Sequence, residues 1–206
     1  MAADVLDLLN VDEARQWLSI GVADETKTTM LEMAITACSR KIAAAVGPVV
    51  CGTVTAELHN GGSNRFYLFQ SPAYSISQVV EYDGTTASTL TAETNTSQTS
   101  NQYRCNVRNG QMLRRDSGRT AYFPNGIDNV SVTYVAGRYT STDTVDDRYK
   151  EACGVMLRNM WRPFEASVGS AGEFDVPAQN FPRFAVPNAV KELLADQWRS
   201  STGFAG

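Results

Sequence analysis

The sequence holds one histidine, His59, and four cysteines, Cys38, Cys51, Cys105 and Cys153, and a search for chemistry starts with them. His59 is the only imidazole that could act as a general base near neutral pH. It ends the stretch VTAELH directly before NGG, where a turn is expected, and no serine or cysteine is placed by the sequence to need it. The expectation is a solvated surface histidine. The cysteines are far apart and form no C-x-x-C pair, so no zinc site is expected. Cys38 and Cys153 fall inside helical apolar patterns, where a thiol behaves as a small buried hydrophobe.

Other chemical signatures fail on spacing. VGSAGE places Ser170 between glycines, but the pattern is not G-x-S-x-G and its setting is a loop rather than a strand-turn-helix elbow. Neither GVADETKT nor NGGSNRF combines the glycine spacing and lysine of a phosphate loop. Asp146 and Asp147 stand together at the start of an expected helix, where carboxylates compensate the helix dipole. Any two carboxylates can meet in a fold, so acid-base chemistry by Asp or Glu stays open at this point. No catalytic residue, cofactor or metal is assigned.

The elements that would position such residues fall into two grammars. At the N-terminal end, NVDEARQWLSIG reads as a helix capped by Asn10, with Asp12 and Glu13 in its first turn and Gly21 just past its end. A second helix starts at Asp24 and runs to Gly47-Pro48, with Leu31, Ile35, Cys38 and Ile42 on one stripe. From Val49 to Gly137 the text alternates: VTAELH, RFYLF, SQVVEYDG and NVSVTYVAG are strand candidates, and YRCNVRNGQMLRR reads as a hairpin around Asn109-Gly110. TTASTLTAETNTSQTSN, residues 85 to 101, has only Leu90 to bury and reads as a long exposed loop or irregular edge. In the last strand Val130, Val132 and Tyr134 face one way and Ser131, Thr133 and Val135 the other.

Helical spacing then returns. Tyr149, Cys153, Met156 and Met160 form a stripe widened by Ala152, Leu157 and Trp161, with Pro163 expected to end the helix. A loop punctuated by Gly, Ser and Pro carries Phe174, Phe181 and Phe184, aromatics that need some partner to cover them. VPNAVKELLADQWR is the last helix, with Val190, Leu193, Leu194 and Trp198 on one side. Trp17, Trp161 and Trp198 each fall on an apolar helical face, as core residues or as anchors of a contact between subunits.

The resulting expectation is an α+β chain. Residues 1–48 and 143–206 form a helical base, and residues 49–142 form an inserted β-rich module, a small antiparallel sheet or sandwich, in one compact unit. At 206 residues, 43% hydrophobic and 19% charged, the chain can bury one decorated core. The net charge of -4 argues against a surface that works by neutralising phosphates. The acidic start, with Asp4, Asp7, Asp12 and Glu13, does not read as a signal peptide, and no apolar run approaches the roughly 20 residues a membrane span needs. A soluble protein without a membrane partner is expected.

Taken in order, VDEARQWLSI, the helix DETKTTMLEMAITACSRKIAAAVG, Pro72 before SISQVVEYDG, VTYVAG and PNAVKELLADQWR resemble the head-tail connector (adaptor, or head-completion) proteins of long-tailed bacteriophages. The order of these short motifs carries the resemblance, over nearly the whole chain. The chain departs from that pattern at Gly47-Pro48, where related proteins often carry glycine-arginine, and in its longer 85–101 and 165–183 segments.

The resemblance implies a virion protein, made in the host cytoplasm and located in the neck at the portal vertex. It implies a ring, commonly of twelve copies, beneath the portal protein, which extends the DNA channel and docks the tail or the next neck (stopper) protein. Double-stranded DNA would pass without sequence recognition. By the same analogy Trp198, Arg199 and Phe204 are expected at contacts with the portal or a neighbour; the loop aromatics Phe174, Phe181 and Phe184 join them because exposed aromatics need a cover, either a neighbour or the chain's own fold. The alternatives are a small hydrolase using carboxylates of the β part, or another neck component such as a tail terminator.

Overall fold

The structure, a computed structural model, describes residues 4–21, 25–168 and 186–198. By its internal contacts the chain divides into two units, residues 1–50 with 139–206, and residues 51–138.

The first unit is helical. Helix α1 (Val11–Leu18) begins in a full capping box: Asn10 accepts from the Glu13 amide, and the Glu13 carboxylate accepts from the Asn10 amide. It ends sooner than expected, because Ser19 adopts the left-handed conformation (φ 55°) and closes the last turn before Gly21 is reached. Helix α2 (Glu25–Val46) stops at Gly47, whose φ of 85° suits a residue without Cβ. The expected cap, Asp24, lies outside the described residues.

Helix α3 (Asp147–Val168) runs through Pro163 instead of ending there. Proline removes one backbone hydrogen bond, and the surrounding turns carry the helix past that loss. Helix α4 (Asn188–Leu193) is shorter than its sequence pattern.

Leu31, Ile35, Cys38 and Ile42 form the buried stripe of α2, against Tyr149, Cys153, Leu157 and Trp161 of α3 and Val190 and Leu194 from the C-terminal segment. Cys38 and Cys153 are thus packed as thiols in an apolar core, with Cys38 Sγ 3.3 Å from Met160 Sδ. The segment before α1 joins them: Leu8 and Leu9 are buried, the Leu8 amide donates to Ser39 Oγ (2.9 Å), and Thr142 Oγ1 donates to the Asp7 carbonyl (2.7 Å).

The second unit is built on one sheet of eight strands: β1 (Gly52–His59), β2 (Arg65–Tyr67), β3 (Ala73–Asp83), β4 (Thr86–Ala92), β5 (Gln102–Asn106), β6 (Gln111–Asp116), β7 (Arg119–Thr120) and β8 (Val130–Ala136). The order is β1-β8-β3-β4-β5-β6-β2, with β7 beside β6. The sheet is mixed rather than antiparallel, because β4 and β5 run parallel. Gln102 and Tyr103, the first residues of β5, stand opposite Thr91 and Ala92, the last of β4, so residues 93–101 loop out and the chain then runs on in the same direction.

Strand β4 lies where an exposed loop or irregular edge was expected. β3 pairs its residues 86–90 and β5 pairs Thr91 and Ala92, and Leu90 opposite Val79 supplies the one large buried contact. In β8, Val130, Val132, Tyr134 and Ala136 are buried and the intervening residues are half-exposed, the alternation its sequence shows.

Candidate functional site

His59 is not a surface histidine. Strand β1 turns Glu57 and His59 to the same side, two residues apart, and both side chains are buried. His59 Nε2 lies 2.7 Å from Glu57 Oε1, which also accepts from the Phe69 amide (2.9 Å); Tyr134 Oη donates to Glu57 Oε2 (2.7 Å). Tyr134 Oη in turn accepts from the Gln70 amide at 3.1 Å. The imidazole stacks on Phe66 with ring centroids 4.2 Å apart. Burial pushes the His59 pKa down, against the upward pull of Glu57 and Asp128, and burial with the Glu57 bond pushes the Tyr134 phenol up. Both Glu57 oxygens are occupied by protein donors, so the cluster ties β1 and β8 to the 69–70 backbone.

A second buried carboxylate is tied in the same way. Arg114 sets Nε against Glu81 Oε2 and Nη2 against Glu81 Oε1, both at 2.8 Å, and also donates to the Gln102 and Arg115 carbonyls. Arg115 pairs with Glu93 at 3.0 Å. Among the described residues no group of three His, Cys, Asp or Glu could hold a metal ion, and no helix is long and apolar enough to cross a membrane.

What remains outward is surface suited to partners. In the helical unit, α1 and α3 bound a cleft of about 510 Å³ lined by Glu13, Trp17, Asp147, Lys150, Glu151 and Arg158 among others. Lys150 pairs with Glu13 at 2.6 Å, and Arg158 donates to the Trp17 carbonyl at 3.0 Å. In the β unit, Tyr67, Phe69, Tyr74 and Tyr122 are each more than half exposed. Aromatic residues are the types that interfaces favour.

A chain in a structure described as the neck of an empty GTA (gene transfer agent) particle computed with C6 symmetry is similar along 100% of this chain and 97% of its own length, with a TM-score of 0.53 and 14% identity. The fold is one that occurs in a particle neck. A chain in the neck of a native GTA particle computed with C12 symmetry matches 95% of this chain and 91% of its own, with a TM-score of 0.51 and 15% identity. No protein-family model matches the sequence, and no curated protein does.

Of the residues expected at neck contacts, Trp198 is half-buried and packs on the helical core. Arg199, Phe204, Phe174, Phe181 and Phe184 lie outside the described residues. Sequence reasoning missed Glu57, Glu81 and Arg114 as buried groups. The available signal was register: Glu81 follows Val79, and Arg114 follows Met112, at the two-residue step that points both members inward.

Proposed function

We propose that this chain is a structural, non-enzymatic head-tail connector of a phage-like particle. Twelve copies form a ring beneath the portal, extend the DNA channel, and dock the tail or the next neck protein. One observation carries the reading: a likeness to a neck chain that spans both proteins almost end to end. The C6 and C12 symmetry of those particles supports a ring of repeated heterologous contacts, in which one patch meets a different patch on the next copy until the circle closes. Trp198, Arg199, Phe204 and the loop aromatics Phe174, Phe181 and Phe184 are the proposed contacts with the portal or a neighbour.

Acidic net charge fits a conduit for DNA, since a basic lumen would hold phosphate. The hydrolase reading loses support from Glu57 and Glu81, whose oxygens are all taken by protein donors. Electron microscopy and mass spectrometry of purified particles test the proposal. The chain is expected as a ring at the portal vertex, and particles whose neck lacks it would overturn the reading.

A further inference from the structure

The two units differ in charge. Residues 51–138 carry seven arginines against six carboxylates, whereas the rest of the chain carries eleven basic against sixteen acidic residues. Four of those arginines, Arg65, Arg104, Arg108 and Arg119, are exposed and make no ion pair among the described residues.

Two of them are placed by strand register. Leu113 of β6 stands opposite Arg104 of β5 on one side and Arg65 of β2 on the other. Residues paired across a sheet project to the same face, so the two guanidinium stems flank Leu113 about 10 Å apart, two strand spacings. Tyr67 lies on this outer face two residues beyond Arg65, its hydroxyl held by Gln111 at 3.0 Å. The face therefore carries an arginine pair with an apolar centre and an aromatic flank.

The cleft between α1 and α3 has the opposite character. Once Glu13 is neutralised by Lys150 and Arg158 is occupied by the Trp17 carbonyl, Asp147 and Glu151 are left exposed and without an ion pair among the described residues. They stand four residues apart on one side of α3, a like-charge spacing that disfavours the helix. The helix dipole offsets Asp147 in the first turn but fades before Glu151.

We infer that the outer face of β2, β5 and β6, through Arg65 and Arg104, docks into the α1–α3 cleft of a second copy of this chain, against Asp147 and Glu151. This rests on the ring reading and names its contact. The two patches are different, as a heterologous ring contact requires, and their charges are complementary. Tyr67 and Leu113 meet the Trp17 wall as the apolar part of the contact.

The test uses the full chain in sedimentation velocity at about 20 mM and about 500 mM salt, where screening separates a charged contact from an apolar one. Arg65→Glu with Arg104→Glu forms one variant, and Asp147→Arg with Glu151→Arg the other. Each alone is expected to lose self-association by about tenfold or more, because like charges then face each other. Mixed in equal amounts they are expected to regain it, since each reversed patch then meets its complement, and all four changes in one chain are expected to regain it too.

If wild type and both variants form rings alike, this contact is overturned while the ring reading stands. Wild type that stays monomeric at low salt also overturns it, and the ring reading is then decided by the particle neck. Loss of duplex DNA binding in the arginine variant, with self-association unchanged, would assign the arginine face to nucleic acid and overturn the contact.

Discussion

The indole of Trp17 lies so close over Gly154 that a Cβ at that position would stand 2.4 Å from both Cδ2 and Cε2. This contact sets how near α1 and α3 approach. Gly154→Ala gains about 1 kcal/mol of helix propensity but must displace a rigid ring, an overpacking cost of about 1–3 kcal/mol. The expected result is a lower melting temperature. In a Trp17→Leu background the clash is gone and the same substitution should stabilise; a thermal-melt mutant cycle reads this sign change.

Glu81 and Arg114 form a buried pair with both guanidinium bonds at 2.8 Å. Glu81→Ala or Arg114→Ala leaves its partner charged and buried, with an expected loss of about 3–5 kcal/mol in urea unfolding. Glu81→Leu combined with Arg114→Met should cost much less than the sum of the single changes. Additive losses would show that the pair is not coupled.

His59 predicts a pH dependence. Its folded pKa lies below the ordinary 6.5, so between those values the unfolded chain binds the extra proton. Stability should therefore be complete above about pH 6.5 and fall as pH drops through 6.5 toward the folded value, with a slope of at most about 1.4 kcal/mol per pH unit. His59→Gln should be less stable at pH 7.5 and show a flatter profile between pH 7 and pH 5. Chemical denaturation across that range measures both.

Gly61 and Gly84 should respond differently to alanine. A Cβ at Gly61 would stand 1.8 Å from the Pro124 carbonyl oxygen, a backbone atom that cannot swing aside. Gly61→Ala is expected to cost on the order of 3 kcal/mol, among the large single-site losses. Gly84 has φ of 60° and open space around it, so Gly84→Ala should cost only the left-handed strain of about 1–2 kcal/mol. Parallel urea titrations separate the two.

Much of the architecture is legible in residue spacing. The α2 stripe of Leu31, Ile35, Cys38 and Ile42 and the β8 alternation of Val130, Val132 and Tyr134 are local periodicities, and local periodicity is what burial on one side writes into a chain. Asn10 with Glu13 announces the α1 cap for the same reason. Strand β4 is not legible, since a polar threonine-rich segment becomes a strand only because β3 pairs along it and β5 joins its last two residues.

The surroundings of the polar groups are decided by the tertiary structure. His59 before NGG reads as a turn residue, yet Phe66 and Phe69 pack on it, and a strand partner 77 residues away from Glu57 brings Tyr134 to the carboxylate. Arg65 and Arg104 meet across Leu113 only through strand register, and Asp147 comes beside Trp17 only through the packing of α3 on α1. By itself the sequence determined the helices and the strands with a clear period, such as β8, and their apolar sides, because these depend on neighbours within a few residues. Which charges end up paired, buried or left facing a partner depends on residues far apart in the chain, and only the folded structure decides that.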